Sequence, residues 1–332
     1  MKLEQLPKRG LWRWALGLLI ALAAGASLGA PAGLAQEDDE DAWSEPILLS
    51  SAAQSSWFPQ ILVDRSGRVH VVYSSGVMTQ SGGFDQVMYT ASDDGEVWTQ
   101  PNDIVALTMG SNGESEVTRP YLFLDRDDVL HMTYRGLTTF SMFYSQVPVS
   151  AAALARSWSV RQEVGQVGYF SALVVDRRGK VHVIYTSNLS SRQCPICYHI
   201  YYRWSADDGL TWSEPVDISR VSTGSAKPQL LLDPDGNLHV AWESARGGTL
   251  GRVDSPAQLL YTSSLDGGTT WREPVLIQMP ESEGSLRVAL TLDPLGRLLV
   301  ISSAVPGNDI YYSLSNDKGQ TWSLPAAVAD LK

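Results

Sequence analysis

The sequence has few of the residues from which cofactor and metal sites are usually built. It contains two cysteines and five histidines in 332 residues. It has no glycine-rich phosphate loop and no cysteine–histidine cluster with metal-ligand spacing. We therefore expect a protein that has no cofactor and no metal site.

Positive charge is also scarce. The chain has 25 lysines and arginines against 36 aspartates and glutamates, for a formal net charge of −11. Four of the basic residues stand in the first 35 positions, so the rest of the chain is more acidic still. This balance argues against nucleic acid as a partner and against bulk attraction to an anionic membrane. An anionic ligand would need a local basic patch.

The one long apolar run lies near the N terminus. Residues 1–35 combine four basic residues, an apolar run over 14–30 and a group of small residues, which is typical of an export signal. The run is short for a membrane span, and an uncleaved anchor is the alternative. We expect an exported protein that is extracellular, at the cell surface or periplasmic, and that meets the membrane only if this segment stays uncleaved.

After the signal, the composition divides the chain into two further parts. Residues 36–42 are predicted to be a solvated acidic linker. Residues 43–332 contain no low-complexity tract and are long enough to bury a sizeable core, so we expect one globular domain there.

A repeated turn organises this domain. The sequence SADDGLTWSEP at 205–215 recurs as SLDGGTTWREP at 264–274 and SNDKGQTWSLP at 315–325, and a shorter copy stands at 92–98. An aspartate that accepts backbone hydrogen bonds, a glycine that tolerates positive φ and a tryptophan that opens the next strand predict a hairpin. The residues assigned this structural role are Asp207, Asp266, Asp317, Trp212, Trp271 and Trp322.

A second repeat, Asp-x-x-Gly-x-x-His-Val, is flanked by alternating apolar residues and predicts another hairpin. Its aspartates are Asp64, Asp125, Asp176, Asp233 and Asp293. Together the two repeats give four strands per unit and five units. We therefore expect an all-β fold, a β-propeller of five four-stranded antiparallel blades, with an extra outer strand at residues 43–46. Six blades are the alternative if the irregular segment 147–162 contains strands.

The histidines and cysteines are predicted to be structural. His70, His131, His182 and His239 share one repeat position, so they fall on different blades, too far apart to share a metal at about 2 Å. Cys194 and Cys197 stand close together in an exported chain, where a local disulfide that staples the loop is expected. A strained redox pair is the alternative for these two cysteines.

The turn around Asp207, Asp266 and Asp317 resembles the Asp-box, or bacterial neuraminidase repeat, of the sialidase superfamily. The resemblance covers most of the chain after residue 43, although Asp-boxes also occur in propellers that are not sialidases. It implies a propeller with the Asp-boxes at one end. The ligand would bind at the opposite end, where the loops gather over the central channel.

One repeat position at that end is rich in cations. Six residues before each turn aspartate, at the start of the inner strand, stand Phe58, Arg119, Phe170, Lys227 and Arg287. Three of these five are cationic in an acidic chain, and they suit a carboxylate, sulfate or phosphate. With Arg135 near the same rim, Arg119, Lys227 and Arg287 are the predicted substrate-binding residues. Pairing of each cation with a nearby carboxylate is the alternative.

The resemblance implies a more specific site. Sialidases clamp the sugar carboxylate with three arginines, and they use a tyrosine nucleophile, a glutamate beside it and a separate aspartate as acid and base. The candidates are Glu243, Asp85 and Tyr311. This sequence departs from the family in having Trp57-Phe58-Pro59 at the first inner strand, where Arg-Ile-Pro is expected, and Arg119 stands one residue out of register.

Two main functions stay open at this point, beside a third in which the protein is a lyase or hydrolase that acts on another polysaccharide in the same kind of cleft. The first is an exported sialidase-like propeller that binds an anionic or polar glycan at the channel mouth and hydrolyses it as an exo-α-sialidase-like glycoside hydrolase. The second is a non-catalytic cell-surface propeller that binds a protein or a polysaccharide, since a fold does not by itself imply chemistry.

Overall fold

The computed structural model describes residues 44–76, 86–105, 117–189, 197–245, 258–280, 284–305 and 309–328. The chain divides into two compact units, Met1–Pro46 and Ile47–Lys332. The expected signal or anchor at 1–35 and the linker at 36–42 lie outside the described residues. Within the described ranges, no helix has the length and apolarity that a membrane crossing requires.

The described part of the second unit folds as five four-stranded antiparallel sheets. The first sheet contains β1 (Ser55–Val63), β2 (Val69–Gly76), β3 (Gln86–Ser92) and β4 (Asn102–Asp103). The second contains β5 (Val117–Leu124), β6 (Val129–Gly136), β7 (Met142–Pro148) and β8 (Gln162–Gly165). The third contains β9 (Gly168–Val175), β10 (Val181–Ser187), β11 (His199–Ser205) and β12 (Val216–Asp217).

The fourth sheet contains β13 (Gly224–Leu232), β14 (Leu238–Ala245), β15 (Gln258–Ser264) and β16 (Val275–Ile277). The fifth contains β17 (Gly284–Leu292), β18 (Leu298–Val305), β19 (Ile310–Ser315) and β20 (Ala326–Ala327). In every sheet the strands pair in chain order, and the first strand of each sheet packs against the first strand of the next. This is the predicted β-propeller, with five blades in the described residues.

The hairpin between the first two strands of each blade is held by its aspartate. The Asp64 Oδ1 atom accepts hydrogen bonds from the backbone N–H groups of Ser66 and Arg68, each at 2.9 Å. Gly67 completes the turn with a φ of 91°. Both contacts recur at Asp125, Asp176 and Asp293, and Asp233 accepts the second of them, so one local sequence builds one local shape in every blade.

The Asp-box turns are equally self-contained. The Asp207 Oδ1 atom accepts hydrogen bonds from the Ser205 hydroxyl at 2.7 Å and from the Thr211 N–H at 2.9 Å, and the Gly209 N–H donates to Ser205 Oγ at 2.9 Å. The hydrogen bonds that Asp207 accepts, chiefly one from the Thr211 hydroxyl, lower its pKa to about 2. Asp266 and Asp317 make matching contacts. Each carboxylate is therefore used within its own turn.

Four histidines link strands inside their own blades. In the first blade, His70 Nδ1 lies 2.7 Å from the Tyr89 hydroxyl and Nε2 lies 3.2 Å from Asp64 Oδ2. His131, His182 and His239 make the same tyrosine contact at 2.6–2.7 Å. Burial lowers the pKa of all four. The imidazole is held between a hydroxyl and a carboxylate in the first, second and fourth blades, whereas His182 Nε2 has no hydrogen-bond partner in the described residues.

Two segments bear on the number of blades and strands predicted from the sequence. The stretch 147–162 holds two single-turn 3₁₀ helices, Val149–Ala151 and Ala155–Ser157, and so hides no sixth blade. The Trp158 indole that follows donates to the Ala152 carbonyl at 2.9 Å and packs in the core. The extra N-terminal strand is not found, because residues 44–49 form no strand.

Candidate functional site

A bulge at the start of the inner strand positions the candidate side chains. In β1, β5 and β13 the pairing with the second strand skips two residues, Phe58-Pro59, Arg119-Pro120 and Lys227-Pro228. Phe58, Arg119 and Lys227 adopt left-handed backbone conformations, with φ values of 56°, 56° and 49°. Non-glycine residues rarely take this conformation, and both bulges and such strain concentrate at functional sites.

The bulge places Arg119 among three aromatic side chains that belong to the two neighbouring blades. Its guanidinium carbon lies 4.0 Å from the Phe58 ring centroid, 4.2 Å from that of Tyr169 and 4.6 Å from that of Phe170. It also donates a hydrogen bond to the Tyr169 hydroxyl at 2.9 Å. The register offset seen in the sequence therefore does not point Arg119 away from its neighbours, because the bulge reorients the side chain.

Arg135 approaches the same tyrosine from β6. Its guanidinium carbon lies 4.4 Å from the Tyr169 ring centroid and 5.1 Å from that of Phe140. Its Nε donates to the Gly168 carbonyl at 2.7 Å, and only 9% of the residue is exposed. Two of the predicted cations, Arg119 and Arg135, thus meet around Tyr169.

The surroundings of Arg119 disfavour its positive charge. Burial lowers the pKa of Arg119, and the nearby charge of Arg135 acts in the same direction. Among the described residues, no carboxylate acts on its pKa. The Arg119 Nε is shielded from solvent and has no hydrogen-bond partner in the described part of the chain. An anion placed here would satisfy a donor and offset two positive charges.

Lys227 has a partner instead. Its Nζ lies 3.0 Å from Oε2 of Glu243, whose side chain is only 5% exposed. The residue predicted as a glutamate catalyst is therefore ion-paired with a residue predicted to bind substrate. This is the alternative that the sequence left open for the cations, and it holds for Lys227, whereas Arg119 has no ion pair with the carboxylates that the structure describes.

Three predicted site residues remain, Tyr311, Arg287 and Asp85. Tyr311 lies half-buried in β19, opposite Ser302 and Ala327. Arg287 occupies the bulge of β17, and its side chain is not among those described. Asp85 lies outside the described residues. Their roles stay predictions.

The cysteine loop is described only in part. Cys197 is disulfide-bonded, and it lies in the connection between β10 and β11, near the Ser222 carbonyl. Cys194, the other cysteine of the sequence, lies outside the described residues. The pairing of the two stays a prediction.

Sequence reasoning missed two residues of the site, Tyr169 and Phe140. A signal for Tyr169 was present, because Trp57-Phe58 and Tyr169-Phe170 are aromatic pairs at the same repeat position. Phe140 carries no repeat signal, since it belongs to the loop between β6 and β7. Such a loop is set by tertiary structure rather than by the repeat.

Exposed aromatic rings surround the two arginines. Trp57 is 53% exposed and Phe140 is 48% exposed. The Trp57 ring centroid lies 6.2 Å from that of Phe58, which in turn contacts Arg119. Flat apolar faces beside charged donors suit a ligand that has both an apolar face and an anionic group.

Comparison with known proteins identifies a matching family and several solved structures with a similar fold. Residues 150–331 match the model of the BNR repeat-like domain family. None of the curated proteins compared with the chain matches it. The solved structures that resemble it include a protein of unknown function from Dyadobacter fermentans, with a TM-score of 0.61 and 14% identity over 82% of this chain and 83% of that one.

Two sugar-bound enzymes are also similar. The GH93 α-L-arabinofuranosidase of Fusarium graminearum in complex with arabinobiose has a TM-score of 0.59 and 14% identity, over 81% of this chain and 80% of that one. The α-L-arabinanase of Penicillium chrysogenum, also complexed with arabinobiose, has a TM-score of 0.57 and 12% identity over the same shares. Identities this low show a shared fold alone. On the family match and the repeated Asp-box turns, the chain belongs to the BNR repeat-like domain family of β-propellers.

Proposed function

We propose that this protein is an exported propeller that binds an anionic glycan at the mouth formed by Arg119, Arg135 and Tyr169. The observation that carries the proposal concerns Arg119. It lies against three aromatic rings beside a second arginine, and its Nε has no hydrogen-bond partner among the residues that the structure describes. The arabinobiose complexes of two solved structures with this fold support a glycan as the class of ligand.

The mouth offers two kinds of group to a ligand, guanidinium groups and aromatic rings. A carboxylate or sulfate accepts paired hydrogen bonds from a guanidinium, and the partly desolvated setting strengthens them. The apolar face of a sugar ring packs on an aromatic ring such as Phe140 or Trp57. A uronic or sialic acid unit presents both groups at once, so it is the preferred ligand.

Glycoside hydrolysis of the exo-sialidase type is the second candidate, and Tyr169 is the observation that favours it. Its hydroxyl accepts a hydrogen bond from Arg119, which would hold that oxygen in place as a nucleophile. Glu243, the predicted glutamate partner, is tied to Lys227. Binding is therefore proposed first and turnover second.

The test measures binding and turnover on the same preparations. Calorimetry with sialic acid, glucuronic acid and their neutral parent sugars should show binding of the acids only, and Arg119→Ala should weaken it at least tenfold. Arg178→Ala removes an exposed arginine from a blade turn and serves as the matched control. Equal affinity of the acids for Arg119→Ala and for the unaltered protein would refute the site.

A fluorogenic sialoside assay then separates the two candidates. Turnover that Arg119→Ala and Tyr169→Phe both abolish would establish the hydrolase. Binding without turnover would leave a glycan-binding propeller.

A further inference from the structure

One repeat position on the second strand is polar in every blade. It is the tenth residue after the turn aspartate, and it lies beside the bulge of the inner strand. The residues at this position are Ser74, Arg135, Thr186, Glu243 and Ser303. Arg135 and Glu243 contact other residues of the candidate site, so the position lies at the same end of the blades as that site.

Ser74 reaches the site across the boundary between the first and second blades. It is fully buried, and its hydroxyl oxygen accepts a hydrogen bond from the Arg119 backbone N–H at 3.0 Å. The same oxygen lies 3.3 Å from that of the Thr118 hydroxyl. By contrast, Thr186 accepts from the Phe170 N–H at 3.0 Å, within its own blade. A serine of the first blade thus holds the residue that carries the proposed site in the second.

The bulge makes the Arg119 backbone depend on this hydrogen bond. The pairing of β5 with β6 skips Arg119 and Pro120, so the ladder offers no regular acceptor for the Arg119 N–H. Leaving a buried N–H without an acceptor is costly. Ser74 supplies that acceptor while Arg119 has a left-handed φ of 56°, a conformation that a non-glycine residue keeps only when its surroundings hold it.

The direction of the Arg119 side chain follows from this backbone conformation. Side chains on a regular strand alternate between the two faces, so a residue one place out of register points to the opposite face. In the bulge, the guanidinium carbon instead lies 4.0–4.6 Å from the centroids of three aromatic rings. If the bulge relaxed to a regular strand, the guanidinium would leave these rings and the mouth that they form.

We propose that Ser74 is a positioning residue for anion binding, because it holds Arg119 in its left-handed conformation from the neighbouring blade. The inference rests on the proposed function, in which Arg119 binds the anionic group of a glycan. Ser74 is buried, so it acts through Arg119 and not by contact with the ligand.

Two variants of Ser74 test this role. Ser74→Ala removes the acceptor, whereas Ser74→Thr keeps a hydroxyl, as Thr186 does at the same repeat position. In calorimetry with sialic acid and glucuronic acid, binding should be about fivefold weaker in Ser74→Ala and within about twofold of the unaltered protein in Ser74→Thr. Ser145→Ala is the matched control, because it removes a buried hydroxyl that donates to the Ser159 carbonyl at 3.2 Å, and it should leave the affinity unchanged.

A double-mutant comparison separates positioning from a general loss of structure. In the Arg119→Ala background, Ser74→Ala should change the affinity by less than about twofold, because the side chain that it positions is absent. An NMR titration measures the weak binding expected in this background. Equal weakening by Ser74→Ala in both backgrounds would overturn the proposal. So would an unchanged affinity of Ser74→Ala in the otherwise unaltered protein.

Hydrogen exchange of the Arg119 backbone amide, followed by NMR, provides a readout that needs no ligand. The exchange rate should rise about tenfold or more in Ser74→Ala and stay within about threefold in Ser74→Thr. Absence of acid binding by the unaltered protein would refute the proposed function, yet the exchange rates would still show whether Ser74 holds Arg119. Equal exchange rates in the unaltered protein and in Ser74→Ala would refute the positioning itself.

Discussion

Arg119 combines features that are costly to maintain together. Its backbone is left-handed, its guanidinium is partly desolvated beside Arg135, and its Nε has no partner in the described residues. Three aromatic faces compensate in part through cation–π attraction. Strain and an unsatisfied donor at one residue are expected where a ligand supplies the missing interactions.

The Asp-box glycines offer a test of how blades pack. A Cβ at Gly268 would collide with the Tyr202 ring, whereas a Cβ at Gly236 would meet nothing within 4 Å. Both glycines have positive φ, at 87° and 86°, so the backbone cost of alanine is about 1 kcal/mol at either site. We expect Gly268→Ala to reduce the free energy of unfolding by about 2 kcal/mol or more beyond the effect of Gly236→Ala.

Urea denaturation of the two variants measures this difference. Equal losses would mean that the tyrosine beneath the turn moves aside without cost, and that the glycine is required for its backbone conformation alone.

At the scale of the element, the hairpins were predictable because their chemistry is local. Asp64 and Asp207 are held by backbone groups within four residues, so the sequence around each turn determines its shape. The bulge at Arg119 was not predictable, because it depends on a φ value that the sequence does not specify. The candidate site was therefore foreseen by residue type but not by orientation, and Tyr169 was missed although its repeat position was visible.

The histidine hairpin predicts how stability depends on pH. Burial holds the pKa of His182 at about 4, below its usual 6.5. The unfolded chain therefore takes up the proton first as the pH falls. Stability that is fully present above about pH 6.5 should decrease between pH 6.5 and 4, by on the order of 3 kcal/mol from this residue.

Denaturation at a series of pH values, compared with a His182→Gln variant, provides the measurement. The variant should have a shallower pH dependence in this window, because glutamine does not titrate. Identical slopes would show that His182 takes up its proton in the folded state as readily as in the unfolded one.

At the scale of the whole molecule, the repeat predicted the architecture but not its closure. Each blade is a copy of one local pattern, so five copies predict five blades. Whether the first and last blades meet depends on curvature summed over the ring, which no single repeat encodes. Ile61 is exposed in the first blade, whereas Leu122, Leu173 and Leu230 at the same repeat position are buried in the second, third and fourth.

The net charge of the molecule and the charge of its proposed site have opposite signs. A chain with a net charge of −11 repels a polyanionic glycan at long range, while Arg119 and Arg135 attract it at contact. Salt screens the long-range repulsion first, since the Debye length falls from about 30 Å at 0.01 M to about 8 Å at 0.15 M. The association rate of an anionic oligosaccharide should therefore rise over this range of salt concentration, whereas association with a basic surface slows as salt is added.

Stopped-flow measurements of this association rate provide the test, with Arg178→Ala as the control. A rate that falls with salt would mean that the ligand approaches through a positive field, and the glycan would then bind somewhere other than this mouth.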